Sequence, residues 1–256
     1  MIDIGVNLNS IIDLAALSEF QAELTAANIS KVIAISSNLA ESDELIELSK
    51  THPNSSIRYT IGCHPHHASE WNEDTTSSAI TLIRENSPVA VGETGLDFNR
   101  NFSTPKQQIF AFDQQIQIAK EMNLPLFLHE REAEDTVIGM LSNATHLNGV
   151  IHCFTGNKET LKRYLDLGLY IGITGWLCDE RRGHDLQEAV KYIPNNRLLI
   201  ETDAPYLIPR NIRPRPRKNH PKFLPYIINE LARIREQSVE EIEKITHMNA
   251  RRLFNI

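Results

Sequence analysis

Short apolar runs rich in β-branched residues recur along this chain at near-even intervals, and that recurrence restricts its possible folds more than any other feature. The runs occupy residues 2–6, 32–36, 58–62, 89–92, 126–128, 150–151, 170–173 and 198–200. Several are continuously apolar instead of alternating, the pattern of parallel strands covered on both faces. Helix signals fill the intervals. Thr104 can cap a helix whose first residue is Pro105, where no backbone N–H is needed, and Gln107 can reach back to close a capping box. The helix behind it is expected to bury a stripe of Ile109, Phe112, Ile116 and Ala119. Asn38 with Glu41, and Ser238 with Glu241, give the same start signal, and Gly168 stands where a helix over 161–165 should stop.

Eight strands alternating with helices in 256 residues predict one α/β domain over 1–256, a TIM-type (β/α)8 barrel. A doubly wound open sheet is the structural alternative, but no GxGxxG follows the first run, which removes the main support for a dinucleotide fold. No window approaches the roughly 18 apolar residues of a membrane helix. The first residues carry neither a basic nor an apolar leader, so a soluble, cytoplasmic protein with no membrane partner and no obligate protein partner is expected. Cys63, Cys153 and Cys178 are odd in number and in no CxxC pattern, which gives neither a disulfide framework nor a structural zinc site.

Charge is unevenly spread. The net charge of −7 argues against broad electrostatic attraction to nucleic acid. Yet residues 204–229 hold no carboxylate, while Arg210, Arg213, Arg215, Arg217, Lys218 and Lys222 crowd there with half of the prolines. That stiff cationic segment suits single-strand phosphates, and equally a solvated loop tying the last helices to the barrel.

Residues with acid–base or ligand capacity follow the runs at the ends where barrel active sites assemble. They are His64 and His66 after the third, Glu93 and Asp97 after the fourth, His129 and Arg131 after the fifth, His152 after the sixth and Asp203 after the eighth. Taken singly, each histidine is explained as well by a buried hydrogen bond, and Glu93 or Asp203 by a helix cap or ion pair. Taken together at one barrel mouth, two histidines and two carboxylates form a ligand set for a divalent cation that activates water and polarises a phosphoryl or carbonyl oxygen. A Cys63 or Cys153 nucleophile is the weaker alternative, since metal-activated water explains the same neighbours.

The ordered segments Gly62-x-His64-Pro65-His66, Gly92-Glu93-x-Gly95-Leu96-Asp97, His129-x-Arg131, His152-x-Phe154-x-Gly156 and Glu201-Thr202-Asp203-Ala204-Pro205-Tyr206 resemble the TatD family of metal-dependent deoxyribonucleases, within the amidohydrolase-like barrels. The resemblance runs the length of the chain. It implies that Glu93, His129, His152 and Asp203 hold metal, with Glu93 bridging where two ions bind and Asp203 deprotonating the attacking water. It also implies that His64, His66 and Arg131 lie near the substrate phosphate, and that the activity is 3′–5′ exonuclease action on single-stranded DNA or RNA. The chain departs from the family's opening Asp-x-His-x-His, having Asp3-Ile4-Gly5-Val6-Asn7. The second metal position thereby loses two nitrogen donors, and the remaining oxygens suit Mg2+, with Mn2+ or Zn2+ as alternatives. One firm cation site is expected, with a second filled only when substrate phosphate is present. The competing functions are hydrolysis of D-aminoacyl-tRNA esters or other esters and amides on the same barrel, and a non-catalytic nucleic-acid-binding barrel.

Overall fold

Each apolar run is a strand of one sheet in a computed structural model that describes residues 1–12, 16–144 and 148–256. The strands are β1 (Ile2–Val6), β2 (Lys31–Ala34), β3 (Ile57–Ile61), β4 (Ala90–Asp97), β5 (Leu126–Arg131), β6 (Gly149–Ile151), β7 (Tyr170–Ile173) and β8 (Leu198–Ile200). Helices α1 (Leu17–Ala26), α2 (Leu39–Thr51), α3 (Glu73–Asn86), α4 (Pro105–Met122), α5 (Glu134–Ser142), α6 (Lys158–Asp166), α7 (His184–Ala189), α8 (Leu224–Arg235) and α9 (Val239–Phe254) fill the connections. Every pairing is parallel and the order is β1 through β8 in sequence.

The two edges meet, closing the barrel. Val6 bridges Ala204 in parallel, Asp203 N donates to Gly5 O (2.9 Å) and Asn7 N donates to Ala204 O (2.8 Å). Buried Asp3 reinforces the seam. Its carboxylate accepts from Thr202 N (2.9 Å) and Thr202 Oγ1 (2.6 Å), so β1 is held to the segment after β8 by side chain as well as backbone.

Two cores follow from the strand period of two. Ile2, Ile4, Ile33, Ile35, Ala90, Phe127, Val150 and Leu199 converge from all round the sheet with Leu253 and Phe254 of α9. They fill the barrel, and α9 caps the end where strands begin, its Asn249 Nδ2 donating to Leu198 O (2.8 Å). Intervening residues such as Val32, Ala34, Val91 and Leu128 pack outward against the helices. The predicted helix starts are present. Thr104 and Gln107 form the reciprocal capping box of α4, Asn38 and Ser238 cap α2 and α9, and Gly168 follows the end of α6 at φ +79°.

Two features differ from the sequence expectation. β4 and β5 continue through polar residues to Asp97 and Arg131, because Gly95 pairs with His129 and Asp97 with Arg131 in the ladder, a backbone pairing that apolar periodicity does not report. In the α4 stripe, Phe112, Ile116 and Ala119 are buried but Ile109 is 38% exposed, and fully buried Gln108 and Gln115 take the inward positions. Their amides clamp strand ends. Gln115 accepts from Cys63 N (2.8 Å) and donates to Cys63 O (3.1 Å). Gln108 accepts from Asp97 N (2.8 Å) and donates to Asp97 O (3.0 Å) and Ser103 O (2.8 Å). Seven residues apart, they share one helix face, so α4 sets the relative height of the ends of β3 and β4.

At Gly95 the backbone of β4 lies too close to β5 for any side chain. Its φ is +137°, and a Cβ there would sit 1.9 Å from His129 O. We therefore expect Gly95→Ala to spread β4 from β5 at His129, lowering the Tm and weakening divalent-cation binding together; calorimetry and metal titration check this, and unchanged binding would contradict it.

Candidate metal centre at the barrel mouth

Glu93 stands in a bulge of β4. Val91 pairs with Leu126 but Thr94 pairs with Leu128, three steps against two, an irregularity that re-aims a side chain. The backbone is fixed by Glu93 N donating to Ser36 O (3.0 Å). Three imidazoles then converge on one oxygen of the buried carboxylate: His64 Nε2 at 3.4 Å, His129 Nδ1 at 3.0 Å and His152 Nε2 at 2.8 Å from Glu93 Oε1. Ligand atoms of His64, Glu93 and His129 all lie within 4.8 Å of one another.

The His129 contact is a hydrogen bond. His152 Nε2, although close to the same oxygen, has no hydrogen-bond partner among the described residues, and neither has buried His129 Nε2. Buried polar atoms are normally paired. Nitrogens aimed past each other beside a shared carboxylate oxygen fit a divalent cation, which takes lone pairs converging on a point, and imidazole with carboxylate is a suitable donor set.

A second layer of carboxylates orients the rings. Fully buried Glu201 accepts from His152 Nδ1 (3.4 Å) and Cys153 N (2.5 Å), which leaves His152 Nε2 facing Glu93. Asp97 Oδ2 bonds His66 Nε2 (2.8 Å) and lies 3.6 Å from His129 Nε2. Glu201 also lies against the first strand. A Cβ on Gly5 would meet Glu201 Oε2 at 2.2 Å, and one on Gly172 would meet Oε1 at 2.5 Å. The space that a histidine at position 5 would need is filled by the carboxylate supporting His152. Asn7 takes a different part, its Nδ2 donating to Asp203 Oδ1 (3.0 Å).

The charges reinforce one another. Burial opposes ionisation of Glu93, yet the His152, His64 and His129 imidazoles around it hold its carboxyl well below the usual range. Burial also opposes the charged form of His152 and His129, but Glu93 with Glu201 raises the first well above an ordinary histidine, and Asp97 with Glu93 raises the second. His64 and His66 go the other way because burial dominates, and they stay neutral. Burial pushes the Asp203 carboxyl up to about 7, His152 opposing and Glu93 and Glu201 adding to the shift.

The remaining candidates lie around this centre. His66 reaches it through Asp97, and Arg131 ends β5 with an exposed side chain. Of the cationic segment, Arg213, Arg215, Arg217 and Lys218 are exposed, whereas Arg210 lies beside Asp179 and Lys222 pairs with Glu23. Asp179 also binds Arg181 and Arg182, and Arg182 covers Trp176. Cys63 and Cys153 are no nucleophiles, since burial pushes both thiols far up, Cys63 to about 12. Sequence reasoning missed the supporting roles of Asp97, Glu201, Gln108 and Gln115; the first two lay inside recognised motifs, whereas the glutamines gave no signal beyond their seven-residue spacing.

The family model for TatD-related DNases matches residues 2–255. A curated protein named 3′-5′ ssDNA/RNA exonuclease TatD, from Erwinia tasmaniensis, is 45% identical over 260 residues and covers 100% of both chains. One of the same name from Salmonella typhimurium is 42% identical, over 100% of this chain and 99% of its own. A solved TatD homolog of Escherichia coli K12 superposes with a TM-score of 0.89 at 24% identity, over 100% of this chain and 98% of that one. A TatD-family hydrolase of Entamoeba histolytica gives 0.87 at 24% identity, over 99% and 97%. These two structures have the same barrel.

A cation bound through His129 and His152 would have to displace their protons. Because their pKa values are raised, the pairings with the carboxylates stabilise the chelated protein fully below the unfolded value of 6.5 and are lost as pH rises through the folded values. Cation affinity should run oppositely, weakening as pH falls through those values. Calorimetric titrations with Mn2+ at a series of pH values should show this rise and accompanying proton release; a pH-independent affinity would contradict it.

Proposed function

The chain belongs to the TatD-related DNase family, and on that premise we propose that it is a cation-dependent 3′–5′ exonuclease of single-stranded DNA and RNA centred on Glu93. The carrying observation is the convergence of His64, His129 and His152 on one buried carboxylate oxygen at the strand ends. Full-length relatives named for this activity support it.

In this reading Glu93, His129, His152 and Asp203 hold the cation. Mg2+ is the ion proposed, and Mn2+ and Zn2+ are its competitors for imidazole ligands. Bound there, a divalent cation lowers the pKa of water and polarises a phosphoryl oxygen. The chain's own groups do the rest. Asp203 is held through Oδ1 by Asn7 and takes the water's proton on its other oxygen, Oδ2. Glu201 keeps the His152 ring in its ligating orientation. Neutral His64 and His66 and exposed Arg131 face the phosphate, with Asp97 fixing His66. Arg213, Arg215, Arg217 and Lys218 attract the strand's backbone without reading its sequence.

Incubating the protein with a 5′-labelled single-stranded oligonucleotide tests the reading. With Mg2+ a ladder should shorten from the 3′ end, vanish with chelator, and slow by about 10³-fold or more in Glu93→Ala. Undiminished turnover in that variant would overturn the mechanism. An oligonucleotide left intact with Mg2+, Mn2+ and Zn2+ would move the reading to aminoacyl-ester hydrolysis, with charged tRNA as substrate. Neutralising Arg213, Arg215 and Arg217 together should reduce the slope of log affinity against log salt by about 2; an unchanged slope would leave the segment a solvated connection.

A further inference from the structure

One large apolar side chain stands at the mouth without apolar cover. Phe102 is 67% exposed, in the stretch between β4 and α4. Single exposed apolar residues are common on protein surfaces and need no explanation. Two observations set this one apart. Its ring contacts the centre, lying 4.7 Å from the His66 ring at an interplanar angle of 89°, and His66 in turn lies 4.2 Å from the His64 ring.

The stretch carrying it is also tied to the site's own residues. Asp97 Oδ1 accepts from Asn99 N (3.0 Å) and Arg100 N (2.9 Å), while its Oδ2 bonds His66. Buried Ser103 donates to His66 O (3.0 Å) and accepts from Ser69 N (2.9 Å), and its own carbonyl accepts from Gln108 (2.8 Å). Phe102 is therefore an exposed ring whose neighbour in sequence is anchored to His66 and whose loop begins on the carboxylate that fixes His66. Holding an apolar ring in water this way gains nothing for folding, whereas a rigid aromatic face beside a phosphate-binding centre is how single strands are held without sequence preference, because every base has a π-face.

We propose that Phe102 is the stacking platform for the 3′-terminal base of the bound strand, placing the adjoining phosphate beside His66 and the Glu93 cluster. This inference rests on the exonuclease reading above and adds the subsite that recognises the end of the substrate. It makes recognition depend on the presence of a terminal base and not on its identity or on the sugar.

Steady-state kinetics on oligonucleotides with an ordinary or an abasic 3′-terminal nucleotide test it, using wild type, Phe102→Ala and Phe102→Trp. Wild type should prefer the ordinary end through KM. Phe102→Ala should raise KM for that end about 5- to 150-fold with a smaller effect on kcat, and should lose discrimination against the abasic end, while Phe102→Trp retains both. Equal KM values for wild type and Phe102→Ala on the ordinary end, or undiminished discrimination in Phe102→Ala, would overturn the platform alone, leaving the exonuclease intact. Failure of wild type to shorten either oligonucleotide would instead overturn the exonuclease reading, and the platform with it.

Discussion

A carboxylate buried among imidazoles is the constraint on which the rest depends. An isolated ionised group in this position would lose several kcal/mol of hydration, so Glu93 persists as an anion only because His64, His129 and His152 approach its Oε1 within 3.4 Å. Those rings come from the ends of β3, β5 and β6, and the parallel order β3-β4-β5-β6 sets them around Glu93 of β4 at one mouth. The fold and the charge cluster are thus linked: the strand order assembles the charges, and their pairing lets the mouth be buried.

Much of the sequence outside the cluster serves its placement. The paired clamps of Gln108 and Gln115 fix where β4 and β3 end, and Asp97 and Glu201 orient the outer faces of His66 and His152. Gly5 gives room to Glu201, whose carboxylate would collide with any side chain there. Asn7 likewise becomes the partner of Asp203.

The barrel was legible because its signals are local: apolar runs mark the strands, and Thr104, Asn38, Ser238 and Gly168 mark helix ends by the geometry of single turns. The polar extensions of β4 and β5 were hidden, since ladder hydrogen bonds are made by backbone and leave no trace in side-chain hydropathy. The buried glutamines of α4 were hidden for a related reason; hydropathy assigns glutamine to the surface, and only the carbonyls and amides it meets in three dimensions reverse that. Of the centre, the residue types at strand ends could be read directly, but not that His64 lies 3.4 Å from Glu93 while His66 is turned to Asp97.

The central claim is that the imidazoles and Glu93 form one cation pocket. Anomalous diffraction from crystals of the protein equilibrated with Mn2+ tests it most directly. The account predicts one strong peak within coordination distance of Glu93 Oε1 and His152 Nε2, and no ion of comparable occupancy beside Gly5, where Glu201 fills the space. A peak held by other residues, or two equally strong ions with one beside Gly5, would contradict it.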